Sequence, residues 1–384
     1  MRVVVDSRAA VFPHKTGVGF YTWHLLRLLP RLDPTTTYVA WYLDARSLLG
    51  GPRSPLRELA ATNLVPRPTP IPARWFQRMS ERFDVPRVEW FARSDVLFAP
   101  NFVPPPTRSR RLVVTVHDLA FRLFPETAPH GTRSWLARIE RTLAQASRII
   151  AVSESTRRDL LELYDVDPGR VSVIPLGVDR ARFRPLGRDA IDLVRSRFGL
   201  NGPYLLYLGG IEPRKNLRSV LVAFARLGPD VRLVIAGSGV EWNPEGPVLL
   251  QKALDSLPPE ARRRVVRTGY VSEGDKVALL SGAEALVYPS LYEGFGLPVL
   301  EAMACGTPVV TSDRSSLPEV AGEGALYVDP GDPEAIAAAI ERVLSDSQLR
   351  TQLRETGMEQ AARFTWEETA RRTAEVLREA ASEA

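Results

Sequence analysis

Short apolar, β-branched runs alternate with stretches of helical periodicity along the whole chain. The runs predict strands at Val3–Val5, Tyr38–Tyr42, Val96–Phe98, Leu112–Val116, Arg148–Val152 and Val171–Ile174. After a gap they resume at Tyr204–Leu208, Arg232–Ala236, Val265–Thr268, Ala285–Tyr288, Pro308–Thr311 and Ala325–Val328. Continuous apolar strands separated by helices imply parallel sheets covered on both faces. The expected fold class is α/β, with two doubly wound parallel-sheet domains. A non-periodic stretch, 179–202, holds Pro185, Gly187 and Gly202, is followed by Pro203, and divides the strands six and six. The expected organisation is a first domain over 1–185, a linker over 186–202, a second domain over 203–365, and a closing helix over 366–384 that packs back on the first domain. Two such domains leave a cleft at the carboxyl ends of their strands, where ligands of these folds bind.

Composition narrows the class. The 384 residues are 45% hydrophobic and 25% charged, which excludes a disordered chain. The single cysteine, Cys305, excludes an intrachain disulfide and makes a reducing cytoplasm the simplest expected location. No run of about 18 apolar residues predicts a membrane-crossing helix. The opening Met1–Asp6 reads as a strand and not as a leader. Charge is uneven: residues 1–190 hold 29 Lys and Arg against 18 Asp and Glu, and the rest hold 21 against 27. A basic half suits a phosphate-bearing partner, whether nucleic acid, anionic membrane or phosphorylated small molecule, and a solvated face without a partner also accounts for it. Within 71–95, Trp75, Phe76, Met79 and Phe83 recur at helical spacing beside Arg74, Arg78 and Arg82. Such a helix lies either in an anionic membrane interface or on the core with its arginine stems along it.

The chemistry concentrates in the acidic half. After the strand ending at Tyr288 comes a loop with Glu293, Gly294, Phe295 and Gly296, then Leu297 and Pro298 at the start of a short helix that carries Glu301. Glycines let backbone approach a ligand closely, proline suits the first helical turn, and a helix start with free N–H groups attracts phosphate. Carboxylates on either side of a phosphate site suit hydroxyls, so the pattern points to a nucleotide sugar. Glu301 as a plain helix-start carboxylate is the competing reading. A second loop, Gly209 to Asn216, follows the first strand of this half, with Asn216 as an expected cap of the next helix and Arg214 and Lys215 as an expected diphosphate clamp. The competing reading is a basic surface pair. Gly237–Trp242 lacks the third glycine of a dinucleotide fingerprint. Asp165-Val166-Asp167 sits in a turn before Pro168, so no metal site is expected.

These residues resemble the retaining glycosyltransferases of family 4, which have the GT-B fold of two Rossmann-like domains, and the resemblance covers nearly the whole chain. The string Glu212-Pro213-Arg214-Lys215-Asn216 is similar to that in bacterial mannosyltransferases of surface polysaccharide assembly. The resemblance implies that Glu293 meets the transferred sugar and Glu301 the ribose. It implies that Gly209, Gly210, Gly294, Phe295, Gly296 and Leu297 line the donor, with Arg214 and Lys215 on the diphosphate. Gly210 stands where many members carry an arginine. In the amino half, Lys15–Gly19 resembles the family's glycine loop, so Gly17 joins the donor side, and His117 falls where a histidine contacts the donor sugar. Asn101 and Phe102 are placed on the acceptor side; His14, His24 and His130 have no such support. The implied reaction moves a hexose, with mannose the first guess, from a nucleotide diphosphate sugar to a saccharide or lipid-linked saccharide, without cofactor, metal or nucleic acid. A nucleotide-sugar epimerase of the same fold is the alternative, and a basic nucleic-acid-binding protein a remote one.

Overall fold

The structure is a computed structural model that describes residues 1–12, 15–45, 55–59, 61–125, 132–237 and 245–383. The chain forms two compact units. The first comprises Met1–Leu119, Gly131–Gly177 and Thr365–Ala384, and the second Ala120–His130 and Val178–Phe364.

The first unit is built on a seven-stranded sheet of β1 (Arg2–Asp6), β2 (Thr37–Leu43), β3 (Leu64–Thr69), β4 (Val96–Ala99), β5 (Leu112–Val116), β6 (Arg148–Ala151) and β7 (Val171–Val173). Their order is β3-β2-β1-β4-β5-β6-β7, and every pairing is parallel. The second unit holds β8 (Tyr204–Leu208), β9 (Arg232–Ala236), β10 (Val265–Gly269), β11 (Ala285–Tyr288), β12 (Val309–Ser312) and β13 (Ala325–Val328). Their order is β10-β9-β8-β11-β12-β13, again all parallel. The central strands β5, β8 and β11 are buried along their whole length, which is why they read as unbroken apolar runs.

β3 is the strand that the sequence pattern did not predict. Its sequence, Leu-Val-Pro-Arg-Pro-Thr, carries two prolines and is exposed at Val65, Arg67 and Pro68. It lies at the sheet edge against β2, where a missing N–H costs no ladder bond. Residues 186–202, expected as a linker, hold the helix Arg188–Arg197 in the second unit. That helix sits tightly: a Cβ on Gly282 would come within 2.7 Å of Ile191 and of the Tyr204 hydroxyl.

The last helix, Trp366–Ser382, belongs to the first unit. Trp366 stacks on His24 with ring centroids 4.4 Å apart. Thr369 donates to the Pro175 carbonyl at 2.8 Å, and Arg378 lies 3.3 Å from Asp33. Gly177 packs so closely on this helix that a Cβ would collide with the Trp366 amide nitrogen.

Within 71–95, the helix Ala73–Phe83 buries Phe76 and Ser80, with Phe76 against Trp41 at 5.6 Å between centroids. Trp75 is 68% exposed and Phe83 58%. Arg74, Arg78 and Arg82 are exposed beside them. The apolar stripe is thus split between the core and the surface.

Candidate active site

In the second sheet the connections leave β8 toward β9 and leave β11 toward β12. This reversal opens a crevice at the carboxyl ends of β8 and β11, the position where open α/β sheets take ligands. Both loops singled out by sequence begin there: Gly209–Asn216 after β8 and Pro289–Gly296 after β11. They are stitched together. The Leu291 amide donates to the Arg214 carbonyl at 2.8 Å, and Ser290 Oγ lies 3.1 Å from the same oxygen. Asn216 was expected to cap the helix Leu217–Arg226, but its side chain makes no cap bond. It takes a left-handed conformation and donates to the carbonyls of Pro289 at 3.0 Å and Pro330 at 2.7 Å. It ties the ends of three strands instead.

Glu293 lies at the centre of this junction. Its Oε1 accepts from the Tyr288 hydroxyl at 2.7 Å and from Ser290 at 3.0 Å, and its Oε2 lies 2.9 Å from Arg214. Burial alone pushes this carboxyl up; Arg214, Lys215 and the Tyr288 hydroxyl more than reverse that and hold it below the ordinary carboxylate value. Arg214 also donates to the Tyr292 carbonyl at 2.6 Å and to Glu212 at 3.1 Å. Its guanidinium is therefore largely committed to protein acceptors. Lys215 is less committed, with Glu212 3.8 Å away. Its ammonium lies over Gly209, where a Cβ would stand 3.1 Å from it.

The helix Leu297–Ala304 starts at Gly296, whose φ of 108° only glycine adopts easily. The serine turn after β12 clasps the loop before it. Ser315 accepts from the Glu293 amide at 2.9 Å, and Ser316 donates to the carbonyls of Glu293 and Phe295, both at 2.8 Å. The amides of Phe295, Gly296 and Leu297 meet no acceptor among the described residues. Such a helix start with unpaired N–H groups is the kind that attracts anions. One turn on, Glu301 Oε1 accepts from Lys276 at 2.9 Å. Burial raises the Glu301 carboxyl above its ordinary pKa, and Lys276 offsets only part of this.

The remaining expected residues lie in the first unit. Gly17 is the first residue of the helix Gly17–Leu32. Asn101 and Phe102 follow β4; the Asn101 side chain accepts from the Phe102 amide at 2.8 Å. His117 follows β5, and its Nε2 lies 2.9 Å from the Pro100 carbonyl. Burial lowers the His117 pKa, so the ring is neutral at pH 7. A carbonyl only accepts, so Nε2 carries the proton and Nδ1 keeps its lone pair. His14, His130 and residues 238–242 lie outside the described residues.

Sequence reasoning missed Tyr288, Ser290, Ser315 and Ser316, which hold Glu293 and its loop, and Lys276, which holds Glu301. It named Gly209 but did not see that Gly209, Gly237 and Gly269 form a row at the ends of β8, β9 and β10. Gly209, Gly237 and Gly269 have φ of 148°, 123° and 68°, and a Cβ on Gly237 would collide with the Gly209 carbonyl. The sequence signal for that row is a glycine at the carboxyl end of three consecutive strands.

Two family models match this chain: Glycosyltransferase Family 4 over residues 15–182 and Glycosyl transferases group 1 over residues 192–360. Among curated relatives, the O-antigen chain mannosyltransferase B of Escherichia coli is 33% identical over 276 residues, which cover 71% of each chain. A D-inositol 3-phosphate glycosyltransferase of Nocardioides sp. is 35% identical over 291 residues, covering 71% of this chain and 63% of that one. The serotype-specific mannosyltransferase WbdA of E. coli is 32% identical over 241 residues, 61% of this chain but 28% of that protein. Among solved structures, Anabaena Alr3699/HepE in complex with UDP-glucose superposes with a TM-score of 0.72 at 17% identity, over 99% of this chain and 100% of that one. The chain therefore belongs to glycosyltransferase family 4. It is a glycosyltransferase with the GT-B fold, and the epimerase alternative is not favoured.

Proposed function

We propose that this enzyme transfers a mannosyl group from a nucleotide diphosphate sugar to a hydroxyl of a lipid-linked saccharide, with retention at the anomeric carbon. One observation carries the donor half of this reading: three open amides at Phe295–Leu297 stand between Glu293 and Glu301, with Lys215 on the neighbouring loop. In this reading the amides and Lys215 meet the diphosphate as negative charge grows on it. Glu293 orients the transferred sugar, and Glu301 accepts from the ribose. The bond from the anomeric carbon to the β-phosphate oxygen breaks as the bond to the acceptor oxygen forms. The departing phosphate takes the acceptor's proton on the same face. His117, neutral and fixed by Pro100, contributes its Nδ1 lone pair to a donor-sugar hydroxyl, with Gly17 on the donor side and Asn101 and Phe102 on the acceptor side.

Mannose rests on the names of the E. coli relatives. The lipid-linked acceptor rests on the basic first half and on the helix Ala73–Phe83, which offers Trp75, Phe83 and three arginines to an anionic surface. The proposal places the enzyme in the cytoplasm, peripheral to the inner membrane face, and includes no nucleic acid. No helix among the described residues is long and apolar enough to cross a membrane.

The test is a thermal-shift panel of GDP, UDP, ADP and dTDP with their common sugars. A ligand at 100 times its dissociation constant adds about 2.7 kcal/mol. A shift with GDP and GDP-mannose alone supports the mannosyl reading. A shift with another nucleotide discards mannose and keeps the transferase. No shift with any of them overturns the donor site.

A further inference from the structure

Glu301 and Glu293 are held in different ways. Both Glu293 oxygens are engaged, by Tyr288 and Ser290 on one side and Arg214 on the other. Glu301 has only Oε1 engaged, by Lys276, and its Oε2 accepts nothing from the described residues. Oε2 is not a buried orphan either. A carboxylate pinned at one oxygen and open at the other is suited to accept a hydroxyl in one fixed direction.

Lys276 is itself held. It extends from the helix Glu273–Gly282, with Nζ 3.0 Å from Glu273 and 4.8 Å from the centre of the Phe183 ring. Glu273 in turn lies 3.4 Å from Arg182. The result is a chain of alternating charge, Arg182, Glu273, Lys276 and Glu301. Burial pushes Lys276 toward the neutral form, and the two carboxylates more than reverse this, so it stays charged. Without that charge, burial and the negative Glu273 both favour the protonated Glu301. A protonated Glu301 loses acceptor strength where the ribose needs it.

We propose that Lys276 is a positioning residue for donor recognition. It pins Glu301 Oε1 so that Oε2 accepts a ribose hydroxyl, and the pair sets the preference for a ribonucleotide over a deoxyribonucleotide. This rests on the reading of Glu301 as the ribose acceptor. Lys276 touches no donor atom in this account. It acts through Glu301, so its removal is felt only by ligands that carry the hydroxyl.

The experiment compares the affinities of GDP and 2′-deoxy-GDP by calorimetry (UDP and 2′-deoxy-UDP if the donor panel selects uracil). A hydrogen bond to a charged acceptor gives about tenfold in affinity, so wild type prefers the ribonucleotide by about that factor. Lys276→Met weakens GDP about tenfold, changes 2′-deoxy-GDP by less than about twofold and brings the ratio near one. Lys276→Arg keeps the ratio. If the methionine variant does not fold, Lys276→Gln supplies an uncharged, shorter polar side chain, and the ratio again falls. Equal weakening of both nucleotides overturns the role of Lys276 and leaves the ribose reading of Glu301 standing. A wild-type ratio near one overturns the ribose reading, and the role of Lys276 with it.

Discussion

Arg214 and Glu293 form an ion pair of 2.9 Å between side chains only 10% and 12% exposed. The pair joins the two loops. Arg214 follows β8, Glu293 follows β11, and Arg214 also takes the Tyr292 carbonyl. In the diphosphate clamp expected from sequence, Arg214 has become the residue that fastens the glutamate loop.

The first prediction concerns stability. Breaking a buried pair by removing one partner leaves an uncompensated charge, so Arg214→Met costs about 3 kcal/mol at pH 7. Glu293 is held below its ordinary pKa, so the unfolded chain binds more protons than the native one in the acid range. The Glu293 contribution is complete above the unfolded carboxyl value of about 4.3 and is lost as pH falls through the native one. Urea midpoints of wild type and Arg214→Met will therefore differ most at neutral pH and converge below about pH 4. A gap that does not change with pH assigns the loss to packing instead.

In the proposed reaction Lys215 serves donor binding and Glu293 serves transfer. Lys215→Ala removes the protein charge proposed to face the diphosphate, so nucleoside diphosphate binding weakens at least about tenfold while the nucleoside alone is unaffected. Glu293→Gln is nearly isosteric, but it removes the charge that pairs with Arg214 and that, in the proposed reaction, orients the sugar. Turnover falls by at least about 100-fold with the affinity for free nucleotide within about twofold, since a group that acts on the transferred sugar is felt in the transition state. Steady-state rates and calorimetry on the two variants check this. Wild-type turnover by Glu293→Gln discards the role given to that carboxylate.

Diphosphate charge is met by Lys215 and three backbone amides in this account, a part that magnesium plays in other transferases. No group of three or more His, Cys, Asp or Glu suited to a metal occurs among the described residues. Asp167 of the Asp-x-Asp sequence is used locally, accepting from the Gly169 amide at 2.9 Å. Initial rates in excess chelator are expected to stay within about twofold of those in magnesium. A rate that disappears with chelator and returns with magnesium shows that protein groups alone do not carry the leaving group.

What the sequence could disclose follows from what each residue faces. Val3–Val5, Tyr204–Leu208 and Ala285–Tyr288 are buried throughout, so their apolar runs announce them. β3 is an edge strand with Pro66 and Pro68, and its pairing partner supplies no signal in its own residues. The helix Arg188–Arg197 is flanked by Gly187 and Gly202, which dominated the reading of that stretch as a linker. Glu293 and Glu301 were legible from a fixed spacing on one loop and helix. Lys276 was not, because it reaches Glu301 across 25 residues of chain. Asn216 was misread because its partners, the carbonyls of Pro289 and Pro330, carry no side-chain signature.

The final prediction tests the surface of the first unit. The helix Ala73–Phe83 leaves Trp75 and Phe83 outside the core, and Trp90 is exposed by 62% in the short turn that follows. An aromatic side chain at the interface contributes by burial, and each arginine near an anionic surface adds about 1 kcal/mol. The triple change of Arg74, Arg78 and Arg82 to glutamine therefore lowers binding to phosphatidylglycerol vesicles by about 100-fold, and Trp75→Ser lowers it further in the same background. Flotation with vesicles of phosphatidylglycerol, against vesicles of phosphatidylcholine alone, reads both effects. Rates on a short soluble acceptor are expected to stay unchanged, because none of these residues belongs to the candidate site. Equal flotation of wild type and the triple variant removes the membrane from the proposal and returns the helix to a role in packing Phe76 against Trp41.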